Sequence, residues 1–389
     1  MACLAMGSCE THTRAERTAS TTTSSAATPP PASPGTASST AGASAATETS
    51  TSPGSGSAGP LPSSFSPESV TFISSTTGWV LGNAPCGTAQ CTQLWKTTDG
   101  GRTWAPVPPP PGPIAPGEGS AEPRIRFANP NDGWASRPDL WATHDGGAHW
   151  AKQSIGSVYA LEAAGGAVHA VVQPPGEFAF HVETSPVHAD AWRPSTIKVQ
   201  AGAGPVPRAQ VVLHGTAGWM VIVNRTVVGG ARLENGRWVS WKPPCDDAGT
   251  PLELAASIAP DLVAFCADGL WNDRPTGERV YVSTDGGSSF RRVAASPPFR
   301  DASAVAAAAA QVWVAGGAES SAQGGAQAVL FRTGDGGRTW KAVHREGEAN
   351  WLELGFTSPE QGVVISEGNV DRLLMTYDGG QTWSPVATR

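Results

Sequence analysis

From about residue 65 onward the chain is built of short runs in which apolar and polar positions alternate. Val70 to Ile73, Gly78 to Leu81, Gln93 to Thr97 and Trp104 to Val107 form one set. Arg124 to Phe127, Gly133 to Ala135, Asp139 to Thr143 and Trp150 to Lys152 repeat the same order. A period of two, broken by Gly, Pro and Asp, predicts antiparallel strands rather than helices.

The strands belong to a longer repeat. Five octets share the pattern (Ser/Thr)-x-Asp-x-Gly-x-x-(Trp/Phe): Thr97 to Trp104, Thr143 to Trp150, Ser283 to Phe290, Thr333 to Trp340 and Thr376 to Trp383. Their closing aromatics, Trp104, Trp150, Phe290, Trp340 and Trp383, are spaced by 46, 140, 50 and 43 residues. The long step is about three periods, so two degenerate copies are expected within it. Ser185 to Trp192 has Val187 in place of the Asp, and Asn235-Gly236-Arg237-Trp238 keeps only a tight turn and an aromatic. Seven units of four strands predict an all-β fold, a seven-bladed β-propeller of four-stranded antiparallel blades. A solenoid would need polar caps at both ends, and none is visible in the sequence.

Each octet has a physical reading. The Gly pair supplies positive φ at a reversal between the third and fourth strands. The carboxylates of Asp99, Asp145, Asp285, Asp335 and Asp378 are placed to accept hydrogen bonds from the N–H groups of their own turns. The aromatic then returns to pack between strands. Calcium is the competing reading, but one carboxylate per loop is a poor match to a cation that takes six to eight oxygens, so no metal and no cofactor are expected.

These octets resemble the Asp-box, or BNR repeat, of sialidase-like propellers, of sortilin and of the photosystem II stability and assembly factor family, over roughly residues 65–389. The resemblance implies that the Asp turns lie on the face away from the ligand site. Binding is then expected on the opposite face, in loops at Leu81 to Gln93, Pro108 to Pro123, Pro243 to Thr250, Asp268 to Gly277 and Gly316 to Gln327. Trp271, Asn272, Asp273 and Arg274, with Asp246 and Asp247, form the most polar and aromatic group there, and Trp271 is the aromatic least explained by the repeat. The other reading is a solvated loop with an incidental Trp.

The innermost strands supply a second candidate surface. Arg124 and Arg126 are two apart and share a strand face, while Glu253 and Glu353 each sit between leucines. If their apolar neighbours pack between blades, these charges line the central channel, either pairing with one another or holding a charged ligand. A sialidase would further need an arginine triad and a Tyr–Glu nucleophile, and Tyr159, Tyr281 and Tyr377 fall in the wrong places for it. A two-carboxylate glycosidase using acids such as Asp246, Asp273, Glu346 or Asp371 is the alternative to a non-catalytic propeller that binds a protein or glycan partner. The assembly-factor-like family fits the second reading, being built of such repeats without a catalytic set.

Composition adds the surroundings. Residues 19–64 are almost wholly Ser, Thr, Ala, Pro and Gly, too poor in apolar surface to fold, and are expected to be a disordered tether. A formal charge of −7 argues against a nucleic-acid partner. No apolar run approaches the length of a membrane-spanning helix. Met6-Gly-Ser-Cys9 resembles the end of a bacterial lipoprotein signal, which makes Cys9 a lipidation candidate within a truncated signal at 1–18; a free cysteine in a tail is the other reading. Cys86, Cys91, Cys245 and Cys266 are expected to form two disulfides, Cys86 with Cys91 and Cys245 with Cys266, at an extracellular or cell-envelope address. A monomer is expected.

Overall fold

Each set of four alternating runs pairs in sequence order into one antiparallel sheet, and seven such sheets form. The computed structural model describes residues 57–389 apart from 113–121, 137–138, 203–206, 225, 246–251, 257–260, 269, 272–273, 276, 321–325 and 369. The innermost strands of blades 1 to 7 are Ser66–Phe72, Arg124–Phe127, Ser157–Ala164, Arg208–His214, Leu252–Ala256, Arg300–Ala309 and Ala349–Phe356. Each touches the innermost strand of the next blade, and that of blade 7 touches that of blade 1, so the ring closes. The chain is the seven-bladed propeller that its repeat predicts.

The core lies between blades. Trp79, Trp134, Trp219 and Trp313 recur on second strands and are all buried. Trp79 stacks on Phe127 of blade 2 with ring centroids 3.8 Å apart. A small cross-strand device repeats beside them. Phe72 pairs with Gly78, Phe127 with Gly133 and Phe356 with Gly362. A Cβ at Gly133 would lie 2.4 Å from the Phe127 ring, so only glycine lets the ring lie flat across the strand.

No blade is shared between the two termini: blade 1 takes all its strands from the start of the described chain and blade 7 all from its end. The seam is held by a strap instead. Gly59 exchanges two backbone hydrogen bonds with Trp104, at 3.0 and 2.8 Å, and Leu61 accepts one from Arg389 while donating to Ala387. Leu61 and Phe65 are buried in a cluster with Val80, Trp95 and Ile365, drawn from blades 1 and 7. Among the described residues packing therefore begins at Gly59, within the Ser/Thr/Ala/Pro-rich stretch.

Three sequence expectations change. Leu81 to Gln93 is not a long loop: the second and third strands run on as Gly78–Cys86 and Ala89–Thr97 and meet in a two-residue turn. Likewise, strands Val312–Ser320 and Ala326–Thr333 occupy most of Gly316 to Gln327. Alternation was masked there by Gly, Asn, Pro and Cys, which read as turn residues. The closing aromatics mostly precede the fourth strand rather than lying within it, since strands begin at Ala105, Ala151, Arg291, Lys341 and Ser384.

Both predicted disulfides are formed. Cys86 and Cys91 sit at an exposed hairpin tip. Cys245 and Cys266, in contrast, are 5% and 0% exposed, joining the stretch after blade 4 to the second strand of blade 5. The second bond is thus a core element and not a loop staple.

Candidate functional site

The ring has two chemically different ends. In an up-and-down sheet the first-to-second and third-to-fourth turns share one end, and the second-to-third and blade-to-blade connections share the other. The octets lie at the first end.

All five octets repeat one hydrogen-bond set. In blade 1, Asp99 Oδ1 accepts from the N–H groups of Arg102 (3.0 Å) and Thr103 (2.9 Å), and Oδ2 accepts from Thr103 Oγ1 (2.6 Å). The buried Thr97 hydroxyl, whose role the sequence did not reveal, donates to Asp99 at 2.9 Å and accepts from Gly101 N–H at 2.9 Å. Thr143, Ser283, Thr333 and Thr376 do the same for their turns. The paired glycines have φ of 76° and 91° in blade 1, and the other four turns follow suit. Backbone and side-chain donors from His149 bring Asp145 down to about 2. The Ser289 hydroxyl and N–H do so for Asp285, and the Thr339 N–H and hydroxyl for Asp335. Every carboxylate oxygen at these turns is thus engaged by its own loop.

The degenerate units solve the reversal differently. In blade 3, Ser185 Oγ accepts from Ala191 N–H at 2.9 Å, with Val187 buried where the Asp would stand. Blade 4 uses a two-residue turn, Asn235 (φ 50°) and Gly236 (φ 75°), with Glu234 paired to Arg237. Its closing Trp238 donates Nε1–H to His169 Nδ1 at 3.3 Å, in the neighbouring blade. Buried there, His169 is held neutral, its pKa depressed to about 4.

Along the channel between the two ends the innermost strands bring charges together. Ile125 and Phe127 pack between blades 1 and 2, which turns Arg124 and Arg126 toward the channel. Leu254 packs between blades 4 and 5, which turns Glu253 the same way. The result is a cavity of about 350 Å³ lined by Arg124, Arg126, Glu162, Arg208, Glu253 and Glu353, among others. Arg126 Nε is 2.6 Å from Glu162 and its Nη2 is 3.1 Å from Glu353, which also lies 3.2 Å from Arg124. Arg208 holds Glu253 at 2.6 Å. Gln210 clamps blade 4 to blade 5, accepting from Leu254 N–H at 2.9 Å. Burial works against the charged form of Arg126, but Glu162 and Glu353 outweigh it and raise its pKa. Burial pushes Glu162 and Glu253 up, with Arg126 and Arg208 opposing.

Glu353 is the pivot of this cluster. It has φ of 43°, at a bulge between Leu352 and Gly355, a backbone state that a side chain with a Cβ rarely adopts. Its Oε2 accepts from Val70 N–H at 2.7 Å and Ser69 Oγ at 2.8 Å. One carboxylate from blade 7 thereby reaches blade 1 and, through the arginines, blade 2.

The sequence brought Arg124, Arg126, Glu253 and Glu353 to one place and missed Glu162, Arg208 and Gln210. Glu162 carried the same signal, a charge between Leu161 and Ala163 on an inner strand. The sequence also missed Phe178 and Val370, which are 81% and 58% exposed on the second-to-third connections of blades 3 and 7. Of the other predicted group, Asp246, Asp247, Asn272 and Asp273 lie outside the described residues. Trp271 and Arg274 are paired in a two-stranded hairpin inserted in blade 5. Among the acids weighed for hydrolysis, Asp371 accepts from Gly368 N–H and from Ser66 Oγ, and Glu346 pairs with His344. A second hollow of about 490 Å³ between blades 5 and 6, lined by Val263, Val293 and Trp313, contains only Asp335 of the predicted residues. Among the described residues no cluster of side chains is arranged to hold a metal ion, and no helix is long and apolar enough to cross a membrane.

No protein-family model matches the sequence. No curated protein matches it either. Among solved structures the chain is similar to YCF48 bound to D1 peptide, at 19% identity and a TM-score of 0.54, covering 82% of this chain and 96% of that one. It is similar to YCF48 from Cyanidioschyzon merolae at 14% identity and a TM-score of 0.53, covering 83% and 98%. The β-propeller domain of the Trilobed protease from Pyrococcus furiosus, described as having an open velcro topology, aligns at 9% identity and a TM-score of 0.52, covering 82% and 96%. At these identities the likeness is one of fold.

Proposed function

We propose that this propeller is a non-catalytic binding module of the assembly type, whose partner is a protein docking on the end opposite the Asp turns. The observation that carries the reading is the charged central channel. Side chains from blades 2, 3, 4, 5 and 7 converge on one cavity, held in place by ion pairs and by a strained Glu353. Such a surface is rigid and rich in directional groups, which favours recognition of charged side chains over turnover. Phe178 and Val370 add exposed apolar contact points on the second-to-third connections at the end opposite the Asp turns. YCF48, a propeller of the same fold, is bound to a D1 peptide in one structure; what we carry over is the class of partner, a polypeptide. The pair of disulfides supports an oxidising compartment, at the cell envelope or outside the cell.

The test is a face-by-face comparison. Proteins cross-linked to the full chain in its native extract are quantified for the wild type, for Phe178→Ser with Val370→Ser, and for Glu360→Ala on the Asp-turn end. The reading expects one partner whose capture falls at least about tenfold with the first variant and is unchanged with the second. Loss with Glu360→Ala alone would move the interface to the other end. Release of reducing sugar from a polysaccharide by the purified chain would replace the binding reading with a hydrolase.

A further inference from the structure

The two disulfides of this domain differ in one decisive respect. Every residue from Gly87 to Cys91 is exposed, as is Cys86, and a side chain added at Gly87 would meet nothing within 4 Å. The other bond is enclosed, with Cys245 and Cys266 packed among Trp219, Trp241 and Leu254. An attacking thiolate must approach a disulfide along the S–S axis, so access decides which bond exchanges.

The hairpin that carries the exposed bond does not depend on it. Ladder pairs Ala84 with Cys91, Pro85 with Gln90 and Cys86 with Ala89 hold the tip directly. Below it Leu81 and Leu94, each 1% exposed, anchor the same two strands between blades. The bond closes a separation of 5 residues, against 21 for the buried one, so it restricts the unfolded chain less. Once reduced, the two thiols stay on facing strands, with Cα atoms 5.8 Å apart in the oxidised state, and are placed to close again.

We propose that Cys86–Cys91 is a site of reversible thiol–disulfide exchange with an external dithiol, at the end of the ring opposite the Asp turns, while the propeller stays folded. A thiolate of the dithiol attacks one Cys sulfur and the other leaves as a thiolate, giving a mixed disulfide. The second thiol of the reagent, as its thiolate, then displaces the attached Cys. The sum is two electrons and two protons from the dithiol to the protein, which gains two thiols while the reagent becomes a disulfide. The reverse reaction with an oxidised dithiol closes the bond.

The experiment treats the folded full chain with graded dithiothreitol, alkylates it, and measures each cysteine peptide by mass spectrometry. Cys86 and Cys91 are expected to label at about tenfold or more lower dithiothreitol than Cys245 and Cys266, and to close again on addition of oxidised dithiothreitol. The thermal melt at that reductant concentration is expected within a few degrees of the untreated chain. The Cys86→Ser, Cys91→Ser double variant is expected to melt within the same few degrees. Labelling of all four cysteines together, protection of Cys86 and Cys91 until unfolding, or a double variant that melts far below the wild type would each overturn the assignment.

Discussion

At the Asp-turn end of the ring, five blades repeat one hydrogen-bond set with the same residue types at the same spacing. At the opposite end each connection is different: a disulfide-bearing hairpin in blade 1, an exposed Phe178 in blade 3, an inserted hairpin in blade 5, an exposed Val370 in blade 7. The contrast separates two kinds of information. Repeated residues satisfy local backbone groups and make blades. Unrepeated residues meet only when the ring closes, and there the charges of five blades share one cavity. Blades 3 and 4 show that the first kind is replaceable, since Val187 and the Asn235–Gly236 turn stand in for the Asp without loss of the sheet.

Substitutions at each end test this difference. The largest effect is expected from Glu353→Ala, which leaves Arg124 without its blade 7 partner and Val70 N–H without its acceptor. A loss of about 3 kcal/mol in urea denaturation is expected, at the low end for a buried pair because Arg126 keeps Glu162 at 2.6 Å. If the loss is small, the cluster does not hold the seam, and the strap at Gly59 to Ser63 does.

His169 tests the blades that lack the Asp. It titrates at about 4 when folded and near 6.5 in its ordinary state, so between these values the unfolded chain binds the extra proton. Its contribution is complete above about pH 6.5 and is lost as pH falls to about 4, by up to roughly 3 kcal/mol. His169→Gln should flatten that part of the stability–pH curve.

Asp99→Ala removes the acceptor of four donors and is expected to cost about 1–3 kcal/mol in denaturant melts, with partner binding unchanged. In the same turns Asp145, Asp285 and Asp335 titrate at about 2 in the fold, below the ordinary 3.8. Their contribution is present above about pH 3.8 and disappears as pH falls through 2, a second acid step distinct from that of His169. A melting temperature sensitive to a calcium chelator would show that these carboxylates serve a cation instead.

The smallest stability effect belongs to the other end. Phe178→Ser should leave stability within about 0.5 kcal/mol, because the ring makes few contacts to lose. Its backbone is fixed independently, the Phe178 carbonyl accepting from Ala201 N–H at 2.7 Å. A large destabilisation would place Phe178 in the core and remove it from the proposed interface.

Strand order, blade number, the two Cys pairings and the inward aim of Arg124, Arg126, Glu253 and Glu353 were all legible in the chain alone. Each follows from local rules: a period of two sets which side chains share a face, and Asp-Gly-Gly sets where the chain reverses. Other features depend on residues far apart in sequence and emerge only on folding. The strap joining Leu61 to Arg389, the burial of Cys245 and the positive φ of Glu353 have no local signature. Glu353 adopts its conformation because Val70 and Ser69, 283 and 284 residues away, hold its carboxylate, with Arg126 227 residues away. Such contacts exist only after loop closure has brought distant blades together, and no pattern within one blade encodes which partner the ring will deliver.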